Sequence, residues 1–176
     1  MIKRILALLL VLCTFSFQVQ AGDSHWAEKS FKEIYQLDGI IVDEPDSPAN
    51  ISLQEKVYKI CRLNISPEKG LMRYWLLKSM VDTLGLFDAD EVEVAHILRD
   101  YKDLCVHCFK ANQVLAMAEK SSLLRGRLKP EGLVTAAKDP VTNAELVAFA
   151  LRYLRIKCMN NLPKNGIINL GVDTYE

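Results

Sequence analysis

The sequence lacks an excess of charge of either sign and lacks the common catalytic motifs. Its 22 basic residues equal its 22 acidic residues, so no basic surplus favours a nucleic-acid partner. It contains no Ser-His-Asp arrangement, no glycine-rich phosphate loop and no metalloprotease helix. We therefore expect a protein that is not an enzyme, carries no cofactor and binds no nucleic acid.

Long apolar runs are also scarce, and the clearest one lies at the N-terminus. Lys3 and Arg4 precede an apolar stretch over residues 5–13, and Val19 and Ala21 occupy the two positions that a signal peptidase recognises. A membrane-spanning helix needs about 20 apolar residues, so this stretch is short for one. Residues 1–21 are predicted to be a cleavable secretory signal, with an uncleaved anchor as the alternative. We expect an exported protein, at the cell surface, in the periplasm or outside the cell, without a stable transmembrane segment after cleavage.

Cysteine is present in an even number once the signal is removed. Cys61, Cys105, Cys108 and Cys158 remain, and four cysteines can pair in three ways that sequence does not distinguish. Export permits disulfides. The favoured pairing joins Cys105 to Cys108 and Cys61 to Cys158, and free buried thiols are the alternative.

The segment Cys105-Val106-His107-Cys108 is similar to the oxidising site of periplasmic thiol oxidoreductases. There a helix N-terminus and the intervening His lower the thiol pKa. Such a site needs a strand before it and a βαβ unit around it, whereas this sequence predicts helices that pack on other helices. A thiol redox protein is thus a less favoured alternative. A zinc site at Cys105, His107 and Cys108 lacks a fourth ligand, so we predict no metal.

Residues 24–63 carry the pattern of two amphipathic helices joined by a loop. In the first helix Ser24 is the predicted N-cap and Gly39 the C-cap. In the second, Ser52 and Glu55 form a predicted capping box. The apolar positions recur every three or four residues, which predicts one buried face per helix. These positions are Ala27, Phe31, Ile34 and Leu37 in the first helix, and Leu53, Val57, Ile60 and Cys61 in the second.

Residues 101–157 repeat this pattern. A helix is predicted to begin near Phe109 and to end before Gly126, and Thr142 with Glu145 forms a second capping box. Between the two units, residues 71–84 predict an apolar helix that stops at Gly85. The residues expected on its buried face are Trp75, Leu76, Met80, Val81 and Leu84. Asp88 and Glu91 are predicted to cap a short following helix, which buries Val92, Ala95 and Leu98.

The order of these motifs resembles the S-layer homology family of bacterial surface proteins. The first unit carries His25-Trp26-Ala27 and Gly39-Ile40-Ile41, and the last carries Tyr101-Lys102-Asp103, Gly126 and Thr142-Asn143-Ala144-Glu145. The resemblance implies a mainly α fold of repeated helix–loop–helix units with minor short strands. It divides the chain into a first repeat over 22–66, a degenerate middle repeat and connector helix over 67–100, a last repeat over 101–157 and a tail over 158–176.

The resemblance also implies a ligand. Family members bind cell-wall polysaccharide through the Arg of a Thr-Arg-Ala-Glu helix start, and here Arg73 holds that position while Leu53 and Asn143 replace it in the other units. Trp26 is a second candidate ligand residue, although a Trp at a helix start more often anchors the helix to the core. We expect an exported, non-catalytic envelope module that binds cell-wall glycan. The alternative is a helical structural or interaction domain that has lost this binding and contacts another envelope protein.

Overall fold

The computed structural model describes residues 25–86 and 89–160. Helices dominate these residues, and a short antiparallel hairpin accompanies them, so the predicted mainly α fold with minor strands is confirmed. The predicted signal, Ser24, Asp88 and residues 161–176 of the tail lie outside the described residues. The elements in chain order are α1 (Glu28–Asp38), α2 (Ile51–Cys61), α3 (Arg73–Leu84), α4 (Glu91–Leu98), α5 (Phe109–Lys120), β1 (Arg127–Lys129), β2 (Gly132–Val134) and α6 (Asn143–Asn160).

Helix α6 is the centre of the packing. Both α1 and α2 pack on it, while α5 packs on α3 and on α4. A helix that is apolar around most of its circumference belongs inside a protein, and the first half of α6 fits this rule. Its buried apolar residues are Ala144, Leu146, Val147, Ala148, Phe149, Ala150, Leu151 and Tyr153.

The chain segments that lead into α2, α3 and α6 are hydrogen-bonded to one another. The amide of Ala49 donates to the carbonyl of Val141 at 2.8 Å, and the amide of Val141 donates to the carbonyl of Leu71 at 2.8 Å. Arg73 likewise donates its amide to the carbonyl of Asp139 at 3.0 Å. Three helix starts therefore meet around residues 139–143. The hydrogen bonds between these segments satisfy backbone amides and carbonyls that would otherwise be buried without a partner.

Several predicted helix ends are confirmed. Gly39 and Gly85 adopt left-handed conformations with φ of 64° and 68°, which an L side chain tolerates poorly. The capping box of α6 is present, because the amide of Glu145 donates to Thr142 Oγ1 at 3.2 Å and the amide of Thr142 donates to Glu145 Oε2 at 3.3 Å.

The predicted capping box of α2 is wrong. Asn50 caps this helix, since its Oδ1 accepts a hydrogen bond from the amide of Leu53 at 2.8 Å. Ser52 lies inside the first turn instead. The N-cap of α4 is Asp90, whose Oδ1 accepts from the amide of Glu93 at 2.8 Å. In both cases the capping residue lies two positions before or after the predicted one, and it is of a type that caps helices equally well.

Four predicted core positions are also wrong. Trp75 is 52% exposed because it lies outside the buried face of α3. That face consists of Leu76, Leu77, Met80 and Val81. Leu37 is 60% exposed because the whole last turn of α1, residues 35–39, lies beyond the surface that packs on α6. Val92 and Ala95 are exposed on α4, whose buried residues are Val94 and Leu98.

The cysteine prediction is half confirmed. Cys105 and Cys108 form a disulfide, whereas Cys61 is a buried free thiol and Cys158 an exposed one. The Nζ of Lys157 reaches the carbonyl of Cys61 at 3.3 Å, so the next residue of α6, Cys158, is rotated away from α2. Within the described residues, none of the helices combines the length and the apolar composition that crossing a bilayer requires.

Candidate anion-binding groove

A cavity of about 500 Å³ opens between the start of α1, the first residue of α3, β1 and one face of α6. We call it the arginine groove. Its lining includes four arginines, one glutamate and two aromatic residues: Arg73, Arg125, Arg127, Arg152, Glu145, Trp26 and Phe149. The residues come from widely separated parts of the chain. The groove therefore exists only in the folded protein.

Arg73 lies at the floor of the groove. It is the first residue of α3 and is 2% exposed. Its Nη1 donates to Glu145 Oε1, and its Nη2 donates to the carbonyl of Arg125 at 2.9 Å. Among the residues that the structure describes, its Nε has no hydrogen-bond partner. Burial lowers the pKa of Arg73, and the pairing with Glu145 only partly offsets that effect.

Glu145 is the shared counter-ion of the groove. Besides Arg73 it accepts two hydrogen bonds from Arg127, at 2.8 Å from Nε and 2.5 Å from Nη2. This bidentate geometry is the strongest arrangement for an arginine and a carboxylate. Arg127 also donates its Nη1 to Asp139 Oδ2 at 2.8 Å. Burial opposes the charge of Arg127, but the two carboxylates outweigh it and raise its pKa.

Arg125 and Arg152 have no such compensation. Within residues 25–86 and 89–160 neither forms an ion pair with a carboxylate, and Arg152 donates its Nη1 to the carbonyl of Leu123 at 3.1 Å. Burial, and then repulsion from Arg125, Arg73 and Arg155, lowers the pKa of Arg152 to about 10. Positive charges that destabilise each other in this way are stabilised by a bound anion.

Phe149 and Trp26 supply the apolar surfaces of the groove. The guanidinium carbons of Arg73 and Arg152 lie 5.1 Å and 5.7 Å from the centroid of the Phe149 ring, within the range of cation–π attraction. Trp26 is 61% exposed at the mouth. The prediction that it anchors α1 to the core is wrong, because Ala27 takes the buried position at the helix start.

His25 holds the chain at this helix start. Its Nδ1 accepts a hydrogen bond from the amide of Ala27 at 3.2 Å, and its Nε2 lies 3.1 Å from Asp46 Oδ1. Its ring also stacks on Phe31 with centroids 5.3 Å apart. These contacts fix the segment that presents Trp26.

The two predicted ligand residues, Arg73 and Trp26, thus line one groove. The four cysteines lie elsewhere. Sequence reasoning missed the contributions of Arg125, Arg127 and Arg152. A signal for α6 was available, because Glu145, Phe149 and Arg152 are spaced by four and three residues and so share one helix face.

Asn143, which replaces the family arginine in the last unit, has a structural role instead. Its side chain is buried, and its Nδ2 donates to the carbonyls of Asp43 and Glu44 at 3.1 Å each. Its Oδ1 accepts from the amide of Asn50 at 3.0 Å. The amide therefore fastens the loop between α1 and α2 to the start of α6.

A larger cavity, of about 650 Å³, lies between the loop at residues 64–71 and α3. Its charged lining residues are Glu68, Lys78 and Asp82, and Lys78 pairs with Asp82. One lysine there stands against two carboxylates, so this cavity has no surplus of positive charge. The arginine groove is the better candidate for a ligand site because its charge is one-sided and partly desolvated.

No protein-family profile, no curated protein and no solved structure matches this chain. The candidate site is therefore defined by its geometry and chemistry, and the S-layer homology resemblance stays a prediction.

Proposed function

We propose that this protein is an exported, non-catalytic envelope module, resembling S-layer homology domains, that binds an acidic cell-wall glycan in the arginine groove. The observation that carries the proposal is the surplus of guanidinium groups around Phe149, one of them with an unpartnered buried Nε, beside an exposed Trp26. An arginine offers a planar fork that matches a sugar carboxylate.

Each part of the groove has a task in this proposal. Arg125 and Arg152, which pair with no carboxylate among the described residues, supply the charge that attracts the anion. Arg73 adds the start of α3, where the helix dipole favours negative charge. Trp26 offers an apolar face on which a sugar ring can stack, and its exposed position leaves room for a polymer to continue out of the groove.

One observation favours the alternative, a helical structural or interaction domain that binds another envelope protein. Glu145 already pairs with Arg73 and Arg127, as an internal substitute for a ligand carboxylate. In that case the arginines stabilise the fold, and the groove has no glycan to bind.

Retention on purified cell-wall sacculi separates the two functions. We expect the exported protein to sediment with sacculi and to be released by high salt, since the contact is largely ionic. Arg125→Ala should reduce retention roughly tenfold, which corresponds to the loss of one charge-assisted hydrogen bond. Trp26→Ala should also reduce it.

Matched controls keep the test specific. Arg99 is an exposed arginine at the C-terminal end of α4, and Trp75 is an exposed tryptophan, and neither lines the groove, so Arg99→Ala and Trp75→Ala should bind as the parent does. Neutralising the carboxylates of the sacculi should abolish retention. Absence of sedimentation, or equal losses in the groove and control variants, would reject glycan binding and leave the interaction domain.

A further inference from the structure

The disulfide between Cys105 and Cys108 lies on the surface, in the turn between α4 and α5. Both cysteines are exposed, and Val106 between them is 88% exposed. Their Cα atoms are 5.2 Å apart. The sulfur atoms are therefore open to a reagent from solvent.

This disulfide joins no separate elements. It encloses only two residues, and a disulfide stabilises a fold less when the loop that it closes is short. The turn is also held by other bonds: Cys108 donates its amide to the carbonyl of Cys105 at 3.2 Å, and Asn112 donates its Nδ2 to the same carbonyl at 2.8 Å. The buried residues 114–118 anchor α5. The S–S bond can therefore break without releasing the helix.

The surroundings favour a thiolate on Cys108. This residue immediately precedes α5, a helix of 12 residues, whose dipole favours negative charge at its start. Both cysteines line a cavity of about 500 Å³ that also contains Trp75 and Leu115. The charged residues of that cavity are Asp103, Lys129, Glu131, Lys138 and Asp139. An incoming thiol thus has space beside the disulfide.

We propose that Cys105 and Cys108 form a reversible thiol–disulfide exchange site, whose co-reactant is a small-molecule or peptidyl thiol. A thiolate attacks Cys105 Sγ, a mixed disulfide forms there, and the electron pair of the broken bond leaves on Cys108 Sγ. A second thiolate then attacks the outer sulfur of the mixed disulfide and releases Cys105. Two external thiols are oxidised to one disulfide, and the protein gains two thiols that carry their protons.

The test uses the full chain with Cys13→Ser and Cys158→Ser, which leaves buried Cys61 as the one other thiol. The oxidised protein is incubated without denaturant in buffers with graded ratios of reduced to oxidised glutathione, quenched with acid and alkylated. Intact mass then gives the fraction reduced, and circular dichroism reports the helices. We expect reversible conversion between the two forms with an unchanged helical spectrum.

Two single-cysteine variants test the assignment of the leaving sulfur. Cys108 in the Cys105→Ser protein should be alkylated several-fold faster at neutral pH than Cys105 in the Cys108→Ser protein, because the helix start increases its thiolate fraction. Two results would show that the bond is purely structural and would overturn the proposal. One is a disulfide that resists excess thiol until the protein is denatured, and the other is a loss of helical structure on reduction. Equal alkylation rates would overturn the role given to Cys108.

Discussion

Replacing Glu145 with glutamine should destabilise this protein more than removing Arg73 does. Glu145 is buried and accepts hydrogen bonds from Arg73 and from Arg127. The glutamine keeps the shape of the side chain and removes its charge. Arg127 retains the carboxylate of Asp139 at 2.8 Å, whereas Arg73 loses its ion pair with position 145 and keeps neutral acceptors such as the carbonyl of Arg125. The cost of an uncompensated buried cation therefore falls on Arg73.

The expected loss for Glu145→Gln is about 3–5 kcal/mol, the usual cost of breaking a buried ion pair from one side. Arg73→Met should cost about 1–2 kcal/mol, because it leaves Glu145 in its bidentate pair with Arg127 and fills the space with an apolar chain. We therefore predict that Glu145→Gln lowers the free energy of unfolding more than Arg73→Met does, because one carboxylate serves both arginines.

Urea unfolding followed by circular dichroism measures both losses. With a typical slope of about 2 kcal/mol per molar, Glu145→Gln should lower the midpoint by roughly 2 M and Arg73→Met by less than about 1 M. Glu131→Gln, at an exposed glutamate of the hairpin, is the matched control and should change stability by less than about 0.5 kcal/mol. A loss for Arg73→Met equal to or larger than that for Glu145→Gln would refute the idea of a single shared counter-ion.

Three further outcomes are expected. Gly126→Ala should cost about 1–3 kcal/mol in urea unfolding, because its new Cβ would lie 2.6 Å from Tyr101 Cε1 and 2.7 Å from Leu133 Cδ1, and a cost below 0.5 kcal/mol would contradict this packing. Asn143→Ala should cost about 2–4 kcal/mol in the same assay, since it removes four hydrogen bonds at a buried position, whereas an unchanged midpoint would contradict this role of the side chain. Burial raises the pKa of the Cys61 thiol to about 12, so mass mapping at pH 8 should find Cys61 protected from alkylation in the native protein and reactive in urea, and rapid native labelling would contradict its burial.

Local structure was largely predictable from the sequence, because the relevant forces act between near neighbours. The spacing of apolar residues predicted helices in each unit, and Gly39, Gly85 and the Thr142–Glu145 box marked ends that the structure confirms. The errors came from competition between capping residues, as at Asn50 against Ser52.

The candidate site was predictable only in part, because it depends on contacts between distant segments. The groove brings together position 26, position 73, residues 125–127 and α6. The periodicity of apolar residues does not predict which helices contact each other. For Trp26 the general preference of tryptophan for the core was the wrong guide. The apolar spacing had assigned the buried position to Ala27, and the structure leaves Trp26 exposed.

The hydrogen bonds that connect residues 47–50, 71–73 and 139–143 tie the beginning, middle and end of the described chain to one short crossing point. Because these backbone hydrogen bonds connect all three segments, no part of the chain that contains one of them can separate without breaking the bonds. Cleavage anywhere before α6 that frees the last helix would strip partners from both other helix starts at once. Proteolysis should therefore proceed in one step, from the intact fold to small fragments, without a stable intermediate that keeps only part of the helices.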